Sequence, residues 1–487
     1  MKYFKSFFCR ERFGLILGFL VFFSMLLIPS PEGLDVAGWR VAAVGLLMAI
    51  WWVTEAIPIP ATALLPIVLF PILRVGSVSE ATTPFANPLI YLFMGGFIIA
   101  LAMERTNLHK RIALNILRFV GTKPKSIIVG FMVAASFLSM WVSNTATAMM
   151  MLPIALSIIA LVESDKDLKS ANLKSNFSVV LLLGLAYACN IGGIATLIGT
   201  PPNALMAGYM FENYGVEIGF LQWMFVGLPL VIVSLPAVFF LLTKFVYPVR
   251  MSSIPGGASL IKSQLKKIGK ISLPEKMVGF VFLLVATLWI SRPLLENIIP
   301  NISDTGIAIF GAILIFLLPA NFKKMEFILD WSHAKRLPWE VLILFGGGLS
   351  LAAAITATGL ADWIGNSLQF LGFLPFLLLF VISLLVIIFL TEVTSNTATA
   401  AAFLPILASV AIAMGMDPLL LVVPAAIGAS CAFMLPVATP PNAIVFGSGL
   451  VSLPQMARAG FWFNILMVFL ITGVLYLLMG YVFNVSF

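Results

Sequence analysis

The sequence predicts an all-α polytopic membrane protein, with about 11 transmembrane helices and two re-entrant hairpins arranged as inverted-topology repeats. Three observations carry this reading. Of the 487 residues, 61% are hydrophobic and only 10% charged, too little polar surface to cover a soluble globule of this size. Apolar runs of membrane-spanning length recur from end to end, leaving no stretch for a sizeable aqueous domain. One hexapeptide, Ser-Asn-Thr-Ala-Thr-Ala, occurs twice, at Ser143–Ala148 and at Ser395–Ala400.

Crossings are expected at 13–28, 36–53, 56–73, 88–103, 177–211, 220–245, 277–292, 303–319, 340–357, 418–450 and 461–483. The first follows Lys2, Lys5, Arg10 and Arg12, as a signal peptide would. Pro29, Pro31 and Glu32 come after it with no small-residue cleavage pattern, so it reads as a retained helix. Segments 126–161 and 372–415 differ from the rest: each is apolar, about two half-crossings of a ~30 Å hydrocarbon layer long, with Ser-Asn-Thr near its middle. They read as re-entrant hairpins.

With a cytoplasmic amino terminus and hairpins that return to their own side, every lysine and arginine except Arg40, Arg74 and Arg292 falls on the cytoplasmic face of a cell membrane. The carboxyl terminus is then outside. The net charge of +8 thus reports orientation, not nucleic-acid binding, because the basic residues sit in short segments between apolar runs. The longest connector, Arg250 to Lys276, reads as a solvated linker. Cys9, Cys189 and Cys431 share no short spacing, and His109 and His333 sit among loop charges, so neither a zinc site nor a disulfide framework follows.

The hexapeptide copies lie 252 residues apart, and at that offset Leu92, Phe93, Gly95, Gly96, Leu152 and Pro153 match Leu344, Phe345, Gly347, Gly348, Leu404 and Pro405. Thr-Pro-Pro-Asn-Ala recurs at 200–204 and 439–443, an offset of 239, so the first half carries 13 extra residues, placed in the charged stretch Glu163 to Lys174. Five crossings separate the two hairpins, an odd number, so the second enters from the opposite face. Inverted repeats of this kind are the architecture of secondary transporters, with a midplane site built from broken helices.

The motif chemistry fits such a site. Pro201 and Pro440 lack an N–H, and Pro202 and Pro441 bias them away from helix, which frees carbonyls at Gly199, Ala438 and their neighbours. Inside hydrocarbon such carbonyls are tolerated only where protein, water or a ligand satisfies them. Together with Ser, Thr and Asn side-chain oxygens they form a hard, neutral cage for an alkali cation. Half-helices starting at the Ser-Asn-Thr turns offer N–H groups and a positive dipole end to a carboxylate. No lysine or arginine lies near these motifs in sequence, so the charge of a dianion must be offset by co-bound sodium, which couples the two fluxes. At about 2.3 kcal/mol per charge per 100 mV, more than two sodium ions per dianion are needed for the membrane potential to help uptake.

Paired Ser-Asn-Thr hairpins, paired Thr-Pro-Pro-Asn loops and a Gly-Gly helix before each hairpin resemble the divalent anion/sodium symporter family along essentially the whole chain. The resemblance implies a homodimer with a scaffold domain and an elevator-like transport domain. It divides the chain into amino-terminal scaffold helices (1–87), a first repeat (88–245), a cytoplasmic linker (246–276) and a second repeat (277–487). It implies one sodium site at Ser139, Ser143, Asn144 and the Gly199 carbonyl, and another at Thr391, Thr394, Asn396 and the Ala438 carbonyl. The anion would meet Asn144, Thr145, Asn396 and Thr397, with Thr200, Pro201, Thr439 and Pro440 closing the pocket.

C4-dicarboxylates such as succinate, malate and fumarate are the expected substrates, with citrate, tartrate or sulfate as alternatives. Sodium-independent exchange of dicarboxylates is the competing activity. Enzymatic hydrolysis is disfavoured because no intramembrane His or Lys is expected to activate a serine, and no organic cofactor is expected. Glu392, whose counterpart in the first half is Met140, is assigned a structural hydrogen-bonding or ion-pair role, and Glu55 an interfacial one.

Overall fold

The computed structural model describes residues 10–486 apart from 122, 165–170, 252–253, 255, 322–324 and 368–374. Lys2, Lys5, Cys9, residues 165–170 of the expected insertion near Glu163 and the opening of the second hairpin at 372–374 lie outside the described residues.

The chain is helical almost throughout. Its first half contains α1 (Arg10–Leu27), α2 (Val36–Thr54), α3 (Ile59–Ala63), α4 (Leu65–Ile72), α5 (Val78–Thr82), α6 (Pro88–Arg105), α7 (Leu108–Val120), α8 (Pro124–Ser139), α9 (Asn144–Ser164), α10 (Ala171–Gly193), α11 (Pro201–Tyr214) and α12 (Phe220–Phe240). Then come α13 (Gly257–Ile268), α14 (Leu273–Leu295), α15 (Asp304–Leu317), α16 (Trp331–Ala334), α17 (Trp339–Ala357), α18 (Leu360–Ser367), α19 (Phe376–Thr391), α20 (Asn396–Ala413), α21 (Leu419–Ala429), α22 (Pro440–Phe446) and α23 (Leu453–Phe483). Pro319–Asn321 and Glu326–Phe327 pair as a small antiparallel ribbon.

Among the described residues nine helices are long and apolar enough to cross a bilayer: α2, α6, α9, α10, α12 with its π-helical extension Leu241–Val246, α14, α17, α20 and α23. The expected first crossing, α1, is not among them. Five apolar stretches are shorter: α3 with α4, then α8, α15, α19 and α21. Local chemistry sets the ends. Asn87 caps α6, Ser303 caps α15, and Ser77 and Ser272 form capping boxes with Glu80 and Glu275. The helices with a wide apolar exterior, α14 and α23, present Phe280, Leu283, Phe469 and Leu477 outward, as a lipid-facing surface requires, whereas α10 is enclosed by protein on nearly every side.

Helix boundaries repeat along the chain. Leu108, Pro124 and Asn144 open α7, α8 and α9, and Leu360, Phe376 and Asn396, each 252 residues later, open α18, α19 and α20. Pro201 and Pro440 open α11 and α22 at the 239-residue offset. Packing crosses between the halves: α8 lies on α10 and α19 on α21, but α11 lies on α20 and α22 on α9. The equivalent residues Phe93 and Phe345 meet edge to face at 5.1 Å. Next to them, a methyl group on Gly95 would stand 2.7 Å from the Ala308 backbone and one on Gly347 would stand 2.1 Å from the Ala63 carbonyl. The paired glycines are there for close helix approach.

Three expectations change. The connector at 250–276 is not simply solvated linker: α13 is amphipathic, buries Ile261 and packs on α7. His109 is not a loop residue; it sits on α7, its Nδ1 3.0 Å from the Met103 carbonyl, and burial holds its pKa below the ordinary histidine value. The span 56–73 is two short helices, α3 and α4, joined at Leu64.

Candidate functional site

The site begins with two broken helices. α10 stops at Gly193 and α11 starts at Pro201; α21 stops at Ala429 and α22 starts at Pro440. The first intervening segment is buried throughout and the second is buried at both ends, with Val437 exposed between them, so their enclosed free carbonyls need donors. The asparagine of each Thr-Pro-Pro-Asn supplies them. Asn203 Nδ2 donates to the carbonyls of Thr196 (2.8 Å), Gly193 and Ile194 (both 3.3 Å), and Asn442 Nδ2 donates to those of Leu435 (3.1 Å) and Ala432 (3.2 Å). This is why the motif is longer than the two prolines that break the helix.

A cavity of about 610 Å³ opens between these segments and the helix–turn–helix tips at 140–143 and 392–395. All eight residues expected around the anion line it: Asn144, Thr145, Thr200, Pro201, Asn396, Thr397, Thr439 and Pro440. Of the expected cation ligands, Ser143, Gly199 and Ala438 join Asn144 and Asn396 in the wall, while Ser139, Thr391 and Thr394 stand outside its lining.

The two cation candidates are built differently. In the first, Asn144 Oδ1 is buried with no hydrogen-bond partner, Ser139 Oγ is buried with only the Cys189 thiol beside it, and a methyl group on Gly193 would stand 2.9 Å from the Gly199 carbonyl oxygen and 3.1 Å from Asn144 Oδ1. Buried acceptors left without donors are costly unless something positive satisfies them, and a desolvated alkali cation does so. In the second, Thr391 Oγ1 lies 2.8 Å from Asn396 Oδ1 and 2.9 Å from the Ala429 carbonyl, so three oxygens share one hydroxyl proton. That excess of lone pairs also fits a cation. Thr394 is turned elsewhere, bonded to the Leu390 carbonyl at 3.0 Å and to Thr399 Oγ1 at 2.5 Å.

Residues 10–483 match the family described as the sodium:sulfate symporter transmembrane region. The chain belongs to this family. Proteins named sodium-dependent dicarboxylate transporter SdcS are similar along nearly the whole length: the one from Staphylococcus saprophyticus is 47% identical over 97% of this chain and 92% of its own, and that from Staphylococcus aureus is 47% identical over 99% and 94%. Among solved structures, Neisseria gonorrhoeae MtrF has a TM-score of 0.59 at 13% identity over 97% of this chain and 96% of its own, and the Alcanivorax borkumensis YdaH transporter 0.58 at 13% over 92% and 99%. At that identity they speak for the fold alone. Membership agrees with the resemblance carried by the paired Ser-Asn-Thr motifs, and makes the chain a membrane transporter, not an enzyme.

Four features of this symporter-family site were not legible beforehand. Arg336 lines the cavity, together with Glu55, Glu104 and Glu340, contrary to the expectation that no basic residue lies near the motifs. It arrives through the turn after α16, ahead of the Gly-Gly helix α17 and distant in sequence from the Ser-Asn-Thr and Thr-Pro-Pro-Asn motifs. Glu392 takes its assigned hydrogen-bonding role, yet its partners were unforeseen: the backbone N–H groups of Phe433 (2.6 Å), Met434 (2.9 Å) and Leu435 (3.1 Å), and Asn464 Nδ2 (2.7 Å). Asn190 and Ser430 join the wall region from the two broken helices, meeting Thr439 and Thr200 respectively. Glu55 ends α2 in the left-handed conformation and faces Arg10 at 3.8 Å.

Proposed function

We propose that this protein carries small dicarboxylates, C4 compounds such as succinate, malate and fumarate, into the cell by sodium-coupled symport. The observation that carries the reading is the buried, unpartnered Asn144 Oδ1, with the buried Ser139 Oγ near it, beside a cavity rimmed by hydroxyl and amide groups. Sodium at the oxygen clusters supplies the positive charge that a dianion needs there, so anion binding and cation binding reinforce each other. The names of the relatives, sodium-dependent dicarboxylate transporters, support the same substrate class.

In this reading Asn144, Thr145, Asn396 and Thr397 hold the anion, Thr200, Pro201, Thr439 and Pro440 close the pocket, and the two oxygen clusters hold sodium. The chain runs 1–87 as scaffold helices, 88–245 and 277–487 as the two repeats, joined by 246–276. The pairs α8–α9 and α19–α20 are re-entrant hairpins, and the protein works as a homodimer whose transport domain moves as an elevator. Glu55, Arg336 and Glu340 at the cavity rim belong to segments that the charge bias assigns to the cytoplasm, so the cavity is the inward-facing one, with the amino terminus inside and the carboxyl terminus outside.

Uptake of labelled succinate into potassium-loaded proteoliposomes tests the reading, with external sodium compared against choline at fixed membrane potential. Accumulation above equilibrium only with sodium is the expected result, and a net inward current is expected, because more than two sodium ions outweigh the two negative charges of the dianion. Entry only into vesicles preloaded with a dicarboxylate, whatever the cation, would replace symport by exchange. Competition by citrate, tartrate and sulfate ranks the substrates.

A further inference from the structure

We propose that Asn190 is a positioning residue for the transported anion: it fills the lone pair of Thr439 that the Asn442 N–H leaves open and so turns that hydroxyl into an obligate donor toward a substrate carboxylate. The inference rests on the symport reading for its ligand, but its geometry stands apart from the sodium sites.

Asn190 sits on α10 in the first half and Thr439 at the break before α22 in the second, and both line the cavity while being almost wholly buried. Asn190 Nδ2 donates to Thr439 Oγ1 at 3.0 Å and to the Ala432 carbonyl at 3.2 Å. The Ala432 carbonyl accepts only, so the amide nitrogen must face this way and the side chain cannot be turned over. The N–H of Asn442 reaches Thr439 Oγ1 from the other side at 3.4 Å, the ordinary N-cap contact of α22. A threonine hydroxyl has two lone pairs and one proton. With both lone pairs engaged, Thr439 has nothing to offer a cation and one proton to offer an acceptor, and the cavity is where an acceptor arrives.

The other copy of the motif behaves differently. Thr200 Oγ1 lies 3.3 Å from Ser430 Oγ, and either hydroxyl serves as donor there, so Thr200 remains free to accept or to give. The residue equivalent to Asn190 at the 239-residue offset is Ala429, which has no side-chain donor. The two halves thus contribute one committed anion contact and one adaptable contact to the same cavity. Asn190 Oδ1 is itself buried without a partner, so local stability alone does not account for an amide at this position.

A double-mutant cycle on labelled succinate uptake reads the coupling. Asn190→Ala is expected to raise the KM for succinate about ten- to hundredfold, the loss of one oriented donor to a charged group, with the half-saturating sodium concentration moving less than about twofold. In a Thr439→Val background, which has no hydroxyl to orient, the same change is expected to add no more than about twofold. In Thr439→Ser it keeps its full effect. Full additivity with Thr439→Val, or an equal rise in half-saturating sodium, overturns the proposal. If Asn190→Ala does not fold, Asn190→Ser is carried through the same cycle. Should wild-type protein show no sodium-driven succinate uptake, the symport reading fails by itself; the cycle is then run on the Tm shift produced by citrate, tartrate or sulfate, where persistence of the coupling keeps the positioning role and its absence ends it.

Discussion

The two halves of the molecule hold nearly the same backbone by unlike chemistry. In the first, the segment between α10 and α11 closes through Gly193 and Gly199 so tightly that a methyl group on Gly199 would stand 2.4 Å from the Gly193 carbonyl. The tip of the preceding hairpin is tied to that segment by one neutral hydrogen bond, Thr196 Oγ1 to the Met140 carbonyl at 2.6 Å. In the second, Ala432 and Ala438 replace those glycines, the segment is more open, and its N–H groups are gathered by the carboxylate of Glu392, at the position equivalent to Met140. A compact turn satisfies its own N–H groups; an open one needs a fixed anion to do so. The lesson is that repeat symmetry constrains where the helices break, not what satisfies the break.

Removing the amide that both halves share should have the largest effect. Asn144→Ala and Asn396→Ala are each expected to lower succinate uptake more than about 100-fold, since in the proposed symport each would delete a substrate donor and a cation ligand together; size-exclusion profiles should stay monodisperse. Near-normal uptake in either variant removes these residues from the site. Gly199→Ala follows, with a loss of about tenfold or more from overpacking beside the first oxygen cluster, whereas Ala438→Gly in the second half should stay within about threefold. Comparable losses in the two would mean that the halves are equally tight.

Exchanging the Glu392 clamp for a neutral group tests the other side of the comparison. Glu392→Gln leaves an NH2 group facing backbone N–H donors and is expected to cost about 3 kcal/mol, seen as a lower thermal midpoint. Thr196→Val, which removes the corresponding tie in the first half, should cost about 1 kcal/mol. An equal drop in both would erase the distinction between a charged clamp and a neutral one. The smallest effect is expected at the rim: Arg336→Gln should raise the succinate KM about two- to threefold at low ionic strength and hardly at all near 0.5 M salt, because an exposed charge acts through a screened field.

Much of this is legible in the sequence. The hexapeptide copies start α9 and α20, the proline pairs start α11 and α22, and residues from all four motifs line one cavity. Those features are local: proline removes a donor, asparagine and threonine cap, and an apolar run of membrane length has few other structures available. Arg336 was not legible, since neither the Ser-Asn-Thr nor the Thr-Pro-Pro-Asn motifs lie near it in sequence; the turn after α16 has to be folded against α6 before its proximity exists. His109 was misplaced because a short amphipathic helix with Lys110 and Arg111 beside it reads as a charged loop until α8 and α13 are packed against it.

Membrane residence, the repeat of the two halves and the points where helices break are written locally in the chain, because hydrophobicity and proline chemistry act over a few residues at a time. Packing alone settles which broken segment meets which hairpin, that Glu392 gathers Phe433, Met434 and Leu435, and that Asn190 reaches Thr439 across 249 residues of chain. A hydrogen bond requires two groups within about 3 Å of each other, and for partners this far apart in sequence that distance is set by the packing of whole helices.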